Sequence, residues 1–251
     1  MLFVLRFIIT IIFTVVTCTV AILYCLMTPK SLNHVSKIAR YFRHLAPYYG
    51  IKVIARYQDE QTIPKQSVYI ANHQNNFDLV TAASLVRPGT VTVGKKSLKW
   101  IPLWGQLYWL SGNILIDRNN RAKSHQTILQ IVEHMKRKPI SIWMFPEGTR
   151  SRGRGLLPFK VGAFHTAIAA RVPVIPLCVS NTCRGKIKLN RWNNGYVIVE
   201  MLPPIDIEPY VQMSNPKEAA RALALHCHSV MKARIEELDA EVAALETSIK
   251  L

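Results

Sequence analysis

The chain has 251 residues, 49% of them hydrophobic, with 32 Lys and Arg against 15 Asp and Glu, for a formal net charge of +17. That length can bury one substantial core, and the apolar share excludes a disordered or fibrous chain. Residues 1–199 hold 27 Lys and Arg against 6 Asp and Glu, while residues 200–251 hold 5 against 9. The basic field suits nucleic acid, an anionic membrane, or phosphorylated and acidic partners.

From Phe7 to Met27 there is no charge, and Ile, Val, Leu and Phe dominate. As a helix this run would be ~31 Å long, about the thickness of a bilayer's hydrocarbon core. It is long for a signal peptide and ends in Cys25-Leu26-Met27-Thr28-Pro29, without a small-residue cleavage site, so it reads as a retained anchor. Next, Lys30, His34, Lys37, Arg40, Arg43 and His44 interleave at helical spacing with Leu32, Val35, Ile38, Phe42 and Leu45. Such a basic amphipathic helix suits either the lipid interface or the surface of the domain. The basic flank assigns the bulk of the chain to the cytoplasmic side. Spanning the bilayer, and pairing re-entrantly with residues 31–49, both remain open readings of the apolar run.

Beyond residue 50, strand-length apolar runs alternate with helical patterns. Strands are predicted at Ile51–Ala55, Val68–Ala71, Val91–Gly94, Ile114–Ile116, Ile140–Phe145, Val174–Val179 and Val197–Met201, and helices at Leu79–Val86, Ala122–Lys138 and Val161–Ala170. Strands lacking clean alternation and separated by helices predict an α/β fold, a mostly parallel sheet flanked by helices. Near the end, Ile235, Leu238, Val242, Leu245 and Ile249 form one stripe, predicting a helix packed on the domain. The expected organisation is a membrane anchor with an interfacial helix over residues 1–49, a catalytic α/β domain over 50–215 and a C-terminal helix over 216–251. Five cysteines, without a zinc-type pair of clusters, read as reduced packing thiols.

The chemistry concentrates where strands end. In Asn72-His73-Gln74-Asn75-Asn76-Phe77-Asp78 a histidine and a carboxylate stand five positions apart after an apolar run. On one helix they would face opposite ways, so His73 must leave a strand and Asp78 must open the following helix, with Asn75 and Asn76 suited to its start. There the helix dipole favours an ionised Asp78 that fixes one imidazole tautomer, making His73 a general base. Phe145-Pro146-Glu147-Gly148-Thr149-Arg150-Ser151 follows another apolar run. Arg150 offers a fork matched to phosphate, Gly148 permits close backbone approach, and Glu147 suits pairing with Arg150. Gly112-Asn113-Ile114-Leu115-Ile116-Asp117-Arg118 again ends a short strand in charge, and before it Gly94–Trp109 mixes three lysines with three tryptophans. That mixture suits an interfacial or acyl-lined surface as well as ordinary core aromatics. Gly89-x4-Gly94-Lys95-Lys96 fails as a P-loop because Lys96 stands where Ser or Thr is required. No dinucleotide, serine-elbow or zinc-protease motif occurs, and nothing demands a metal.

Together these residues resemble the glycerolipid acyltransferase family. Its N-H-x4-D block (Asn72–Asp78), G-N-x4-R block (Gly112–Arg118), F-P-E-G-T-R-S block (Phe145–Ser151) and V-P-V-I-P block (Val172–Pro176) occur in order. The resemblance extends to nearly the whole chain. It is strongest to the bacterial inner-membrane branch that makes phosphatidic acid from lysophosphatidic acid. It implies transfer of a fatty acyl group from a thioester to the sn-2 hydroxyl of 1-acyl-sn-glycerol-3-phosphate, with His73 as base, Asp78 orienting it and no covalent acyl-enzyme. Glu147, Gly148, Thr149 and Arg150 are implied to hold the glycerol phosphate, with Arg118 and Lys95 in weaker phosphate or oxyanion roles. Pro176 is expected to shape a wall. The implied partners are lysophosphatidic acid, acyl-coenzyme A or acyl carrier protein as co-substrate, and anionic lipids, with no bound cofactor. Another lysolipid or glycerol 3-phosphate as acceptor, and a membrane-tethered basic protein binding nucleic acid, are the alternatives.

Overall fold

The computed structural model describes residues 1–29, 31–57, 62–117, 121–183 and 185–248. Three helices lead the chain: α1 (Leu2–Met27), α2 (His34–Phe42) and α3 (Leu45–Tyr48). Then follow β1 (Lys52–Arg56), β2 (Val68–Ala71), α4 (Asp78–Thr81), β3 (Thr90–Lys95), α5 (Trp104–Leu110), β4 (Ile114–Ile116), α6 (Arg121–Arg137) and β5 (Ser141–Met144). The chain continues through α7 (Gly162–Ala170), β6 (Val174–Val179), β7 (Tyr196–Met201), α8 (Glu208–Val211) and α9 (Pro216–Ser248). Single 3-10 turns cover Ala82–Leu85 and Lys96–Trp100.

The sheet order is β1-β7-β6-β2-β5-β3-β4. Every neighbouring pair is parallel except β6 and β7, so the mostly parallel α/β prediction holds. All residues of β2, β5 and β6 are buried, which explains their lack of alternation: helices cover both faces. Val68, Ile70, Ile142, Met144 and Val174 pack with α6, α7 and α9, whereas Tyr69, Ala71, Trp143, Ile175 and Leu177 pack with α1, α3 and α5. Pro176 lies buried inside β6, opposite Ile70 of β2.

Two sequence readings need correction, and one left open is narrowed. The helix expected over Leu79–Val86 is one α-turn followed by a 3-10 turn. The apolar side of α2 (Val35, Ala39 and Phe42) is buried against protein, leaving Lys37, Arg40, Tyr41 and Arg43 outward. His34 does not belong to that basic face: it is 1% exposed and shares a 3.0 Å hydrogen bond with the Thr28 hydroxyl. Lys30 and Ile249 lie outside the described residues.

Helix α1 lies along the domain. Arg6, 2% exposed, donates to the carbonyls of Leu189 and Arg191 at 3.3 and 2.6 Å, and its guanidinium stands 5.4 Å from the Trp192 ring centre. Thr10 and Tyr49 share a 2.9 Å hydroxyl contact, Phe13 meets Phe42 edge to face, and Cys18, Ala21 and Cys25 are buried. The opposite side, including Phe7, Ile8, Ile12, Val16 and Val20, is exposed. At the other terminus, α9 is strapped down by Arg234 on Glu200 at 2.7 Å and Glu241 on Arg56 at 2.6 Å. Leu238 and Val242 of its stripe are buried in the core.

Candidate active site

His73 stands just beyond the end of β2, where the chain leaves the sheet but its pairing continues through side chains. Asn72 gives Nδ2–H to the Val179 carbonyl at 2.8 Å and accepts the Val179 N–H at 2.9 Å, forming one more rung toward β6. Gln74, 7% exposed, donates to the Val179 and Ser180 carbonyls at 3.1 and 2.8 Å and accepts the Thr182 N–H at 2.9 Å. Asn75 donates to the Thr182 hydroxyl at 2.9 Å. The loop is thus fixed to residues 179–182, which α9 holds in turn: Asp239 accepts the Asn181 N–H at 2.6 Å.

Asp78 is the first residue of α4, and its Oδ2 lies 2.6 Å from His73 Nδ1. The same oxygen accepts the N–H groups of Gln74 at 2.7 Å and Asn75 at 3.2 Å. An oxygen collecting N–H donors is an anion acceptor, so Nδ1 carries the proton and Nε2 keeps its lone pair. Backbone donors, rather than the dipole of a four-residue helix, stabilise this carboxylate, and neither asparagine caps α4. Asn75 Oδ1 instead accepts the Phe77 N–H at 2.8 Å, a side-chain turn that brings Asp78 back to His73.

β5 lies beside β2 and parallel to it, so the Phe145–Ser151 block emerges at the same sheet edge. Phe145 stacks on the imidazole with centres 4.0 Å apart. The Ser151 and Arg152 N–H groups donate to the carbonyls of His73 and Gln74 at 2.7 and 3.0 Å. Glu147, 3% exposed, does not pair with Arg150. Its two oxygens accept the N–H groups of His73 at 2.6 Å and Leu157 at 3.0 Å. Burial pushes its carboxyl up to about 7 against these two donors, which lower it, and the nearby Asp78 charge raises it further.

Gly148 sits at φ +69°, and a Cβ there would come 2.8 Å from Lys160 Nζ, so glycine lets that lysine cross the loop. Thr149 and Arg150 are exposed, and the Arg150 guanidinium bonds no described residue, while Arg154 spends its own on the Ser151 and Arg150 carbonyls. Lys95 ends β3, beside β5 at the same edge, about 10 Å from β2 by strand spacing. It lines an open pocket of about 430 Å³ with Lys96, Ser97, Lys99, Trp100 and Asp117. Arg118 lies outside the described residues. The edge therefore unites His73 and Asp78 with Glu147 to Arg150, and adds Gln74 and Lys160, which sequence reasoning missed. Gln74 carries no local signal, since its partners are about 105 residues away.

A partly exposed imidazole held by a buried carboxylate, beside solvated cations, suits proton abstraction from a hydroxyl on an anionic substrate. Residues 54–180 match the model of the acyltransferase family. The chain belongs to that family and is an enzyme of acyl transfer. It is 57% identical over 251 residues, the full length of both chains, to a 1-acyl-sn-glycerol-3-phosphate acyltransferase of Escherichia coli. A protein of the same name from Haemophilus influenzae is 49% identical over 243 residues, covering 97% of this chain and 99% of that one. Among solved structures, the 1-acyl-sn-glycerophosphate acyltransferase of Thermotoga maritima shares the fold, with a TM-score of 0.66 at 22% identity over 95% of each chain.

Proposed function

We propose that the chain acylates the sn-2 hydroxyl of 1-acyl-sn-glycerol-3-phosphate, drawing the acyl group from a coenzyme A or acyl-carrier-protein thioester and releasing phosphatidic acid and the thiol. The carrying observation is the 2.6 Å contact between His73 Nδ1 and Asp78 Oδ2, which leaves Nε2 as the proton acceptor. His73 Nε2 takes the hydroxyl proton as that oxygen attacks the thioester carbonyl, and the proton then passes to the leaving thiolate. Asp78 stabilises the transient imidazolium, and the nucleophile belongs to the substrate, so no acyl-enzyme forms. Arg150, Thr149 and the Gly148 backbone, with Lys160 alongside and Lys95 further out, receive the acceptor phosphate. Glu147 serves this grip from behind by fixing the loop.

The enzyme works at the cytoplasmic face of the bacterial inner membrane, embedded through α1. Set perpendicular to the bilayer, the 26 residues of α1 would carry its two ends ~39 Å apart in depth. Both halves of α1 are fastened to the domain, at Arg6 and at Cys18–Cys25. That supports a helix lying in one leaflet with its exposed apolar side in lipid and the domain against its other side.

His73→Ala in purified membranes, offered both donors and several lysolipid acceptors, is expected to lose about 10²–10⁴-fold in turnover with normal membrane association. Substantial residual transfer, or a trapped acyl-protein, would remove His73 as the base of a direct mechanism.

A further inference from the structure

The segment joining β3 to β4 exposes large aromatic and apolar side chains with no described neighbour to cover them. Trp100 is 76% exposed, Trp109 69% and Ile101 45%, while Trp104 between them is partly buried against Phe42 at 5.4 Å. Exposed indoles with an apolar body and one N–H suit the boundary between lipid and water. Cations are arranged with them: Lys99 Nζ stands 4.4 Å from the Trp100 ring centre, and Lys96 is exposed beside it, its Nζ 4.0 Å from the Asp117 carboxylate. This pairing favours an anionic lipid surface over a neutral one.

Position supplies the second argument. α5 packs along α1, so the patch borders the exposed apolar side of that helix. Near the N-terminal end of α1, Trp192 is 75% exposed beside Arg6. Trp192 belongs to the connection leaving the C-terminal end of β6, and Lys96–Trp100 leaves the C-terminal end of β3. Those strands run parallel through β2 and β5, so both indoles stand at the edge that carries His73. Exposed tryptophans thus accompany α1 at two places, beside Arg6 and beside α5, on the catalytic side.

We propose that Trp100, Ile101 and Trp109, rimmed by Lys96 and Lys99, form a second membrane-contact surface that docks on an anionic bilayer. Together with Trp192, it turns the His73 edge toward the lipid from which the acceptor comes. This rests on the membrane seating of α1, and its test separates the two. Nitroxide labels are placed on the full chain at Trp100→Cys, Trp109→Cys, Ile12→Cys on α1, and Arg221→Cys on the remote face of α9. The proteins are then reconstituted in phosphatidylglycerol–phosphatidylethanolamine vesicles.

Labels at 100, 109 and 12 are expected to read as lipid-shielded and the label at 221 as aqueous. The double variant Trp100→Ser/Trp109→Ser is expected to keep turnover of detergent-dispersed acceptor. It should lose about fivefold or more on acceptor embedded in anionic vesicles, roughly 1 kcal/mol of docking. Aqueous labels at 100 and 109 with a shielded label at 12 overturn this surface and leave α1 seated. An aqueous label at 12 overturns the membrane reading itself. Aqueous labels at 100 and 109 combined with a raised KM for a carrier-protein thioester in micelles assign the patch to an acidic carrier instead.

Discussion

The loop from His73 to Asp78 and the loop from Arg150 to Gly155 leave neighbouring parallel strands, yet they are built in opposite ways. In the first, Asn72, Gln74, Asn75 and Asp78 turn every polar side-chain group but one onto peptide groups or neighbouring side chains, the Asp78 Oδ1 atom remaining unpartnered. In the second, cations stand in water, and Arg152, Gly153 and Gly155 adopt left-handed backbone at φ 52°, 87° and 77°. The two loops meet at their bases, through the Ser151 and Arg152 N–H groups. The difference fits the work we propose for each. A base needs its ring held within a fraction of an ångström. Cations awaiting an anion are cheapest to keep solvated until it arrives.

Breaking the rigid side should cost most. Asp78→Asn preserves shape but removes the charge that holds Nδ1–H, and a loss of about 10³–10⁴-fold in kcat is expected with little change in KM. A variant within tenfold of the parent would mean that backbone geometry alone sets the ring. Gln74→Leu removes three buried hydrogen bonds at similar volume. The Val179 carbonyl keeps Asn72, but leaving the Ser180 carbonyl and the Thr182 N–H without their partner should cost about 1–3 kcal/mol of stability and roughly 10–100-fold in kcat. If kcat survived while the thermal midpoint fell, Gln74 would be a stabiliser with no part in positioning His73. On the solvated side, Arg150→Lys keeps charge and loses the fork, so KM for lysophosphatidate should rise about tenfold with kcat nearly intact. A fall in kcat at constant KM would erase the contrast between the loops.

How far these loops could be read from the sequence follows the same division. The limits of β2, β4 and β6 matched their apolar runs, because in each the apolar side chains that fill the sheet give way to polar ones at the strand ends. The reversal of β7 was missed. The described residues between 180 and 195 form no helix to carry the chain back, and β7 returns alongside β6 in the opposite direction. Spacing alone predicted that His73 and Asp78 meet only across a strand-to-helix turn. It did not show that Glu147 faces inward, since a carboxylate amid arginines reads as surface until the peptide N–H groups it serves are located. Nor did the cluster of tryptophans near residue 100 reveal which face would remain uncovered.

Glu147 ties the first loop to Leu157, just beyond the second, and its ionisation offers the smallest and most specific test of the contrast. Burial lifts its carboxyl from an ordinary 4.5 to about 7. Between those values the folded protein retains a proton that the unfolded chain has released, so this group's contribution to stability declines as pH rises through the window. Below it both states are protonated, and above it both are ionised, so the contribution is flat on either side. Glu147→Gln abolishes the titration, although its amide must face the Leu157 N–H and should lower stability at every pH. The midpoint of the parent minus that of the variant, measured in detergent at a fixed scan rate, should therefore fall across the window and level off above about pH 7. Parallel profiles would show that the two N–H donors hold Glu147 ionised throughout. The clamp on the His73 peptide would then be a permanent anion, independent of pH in this range.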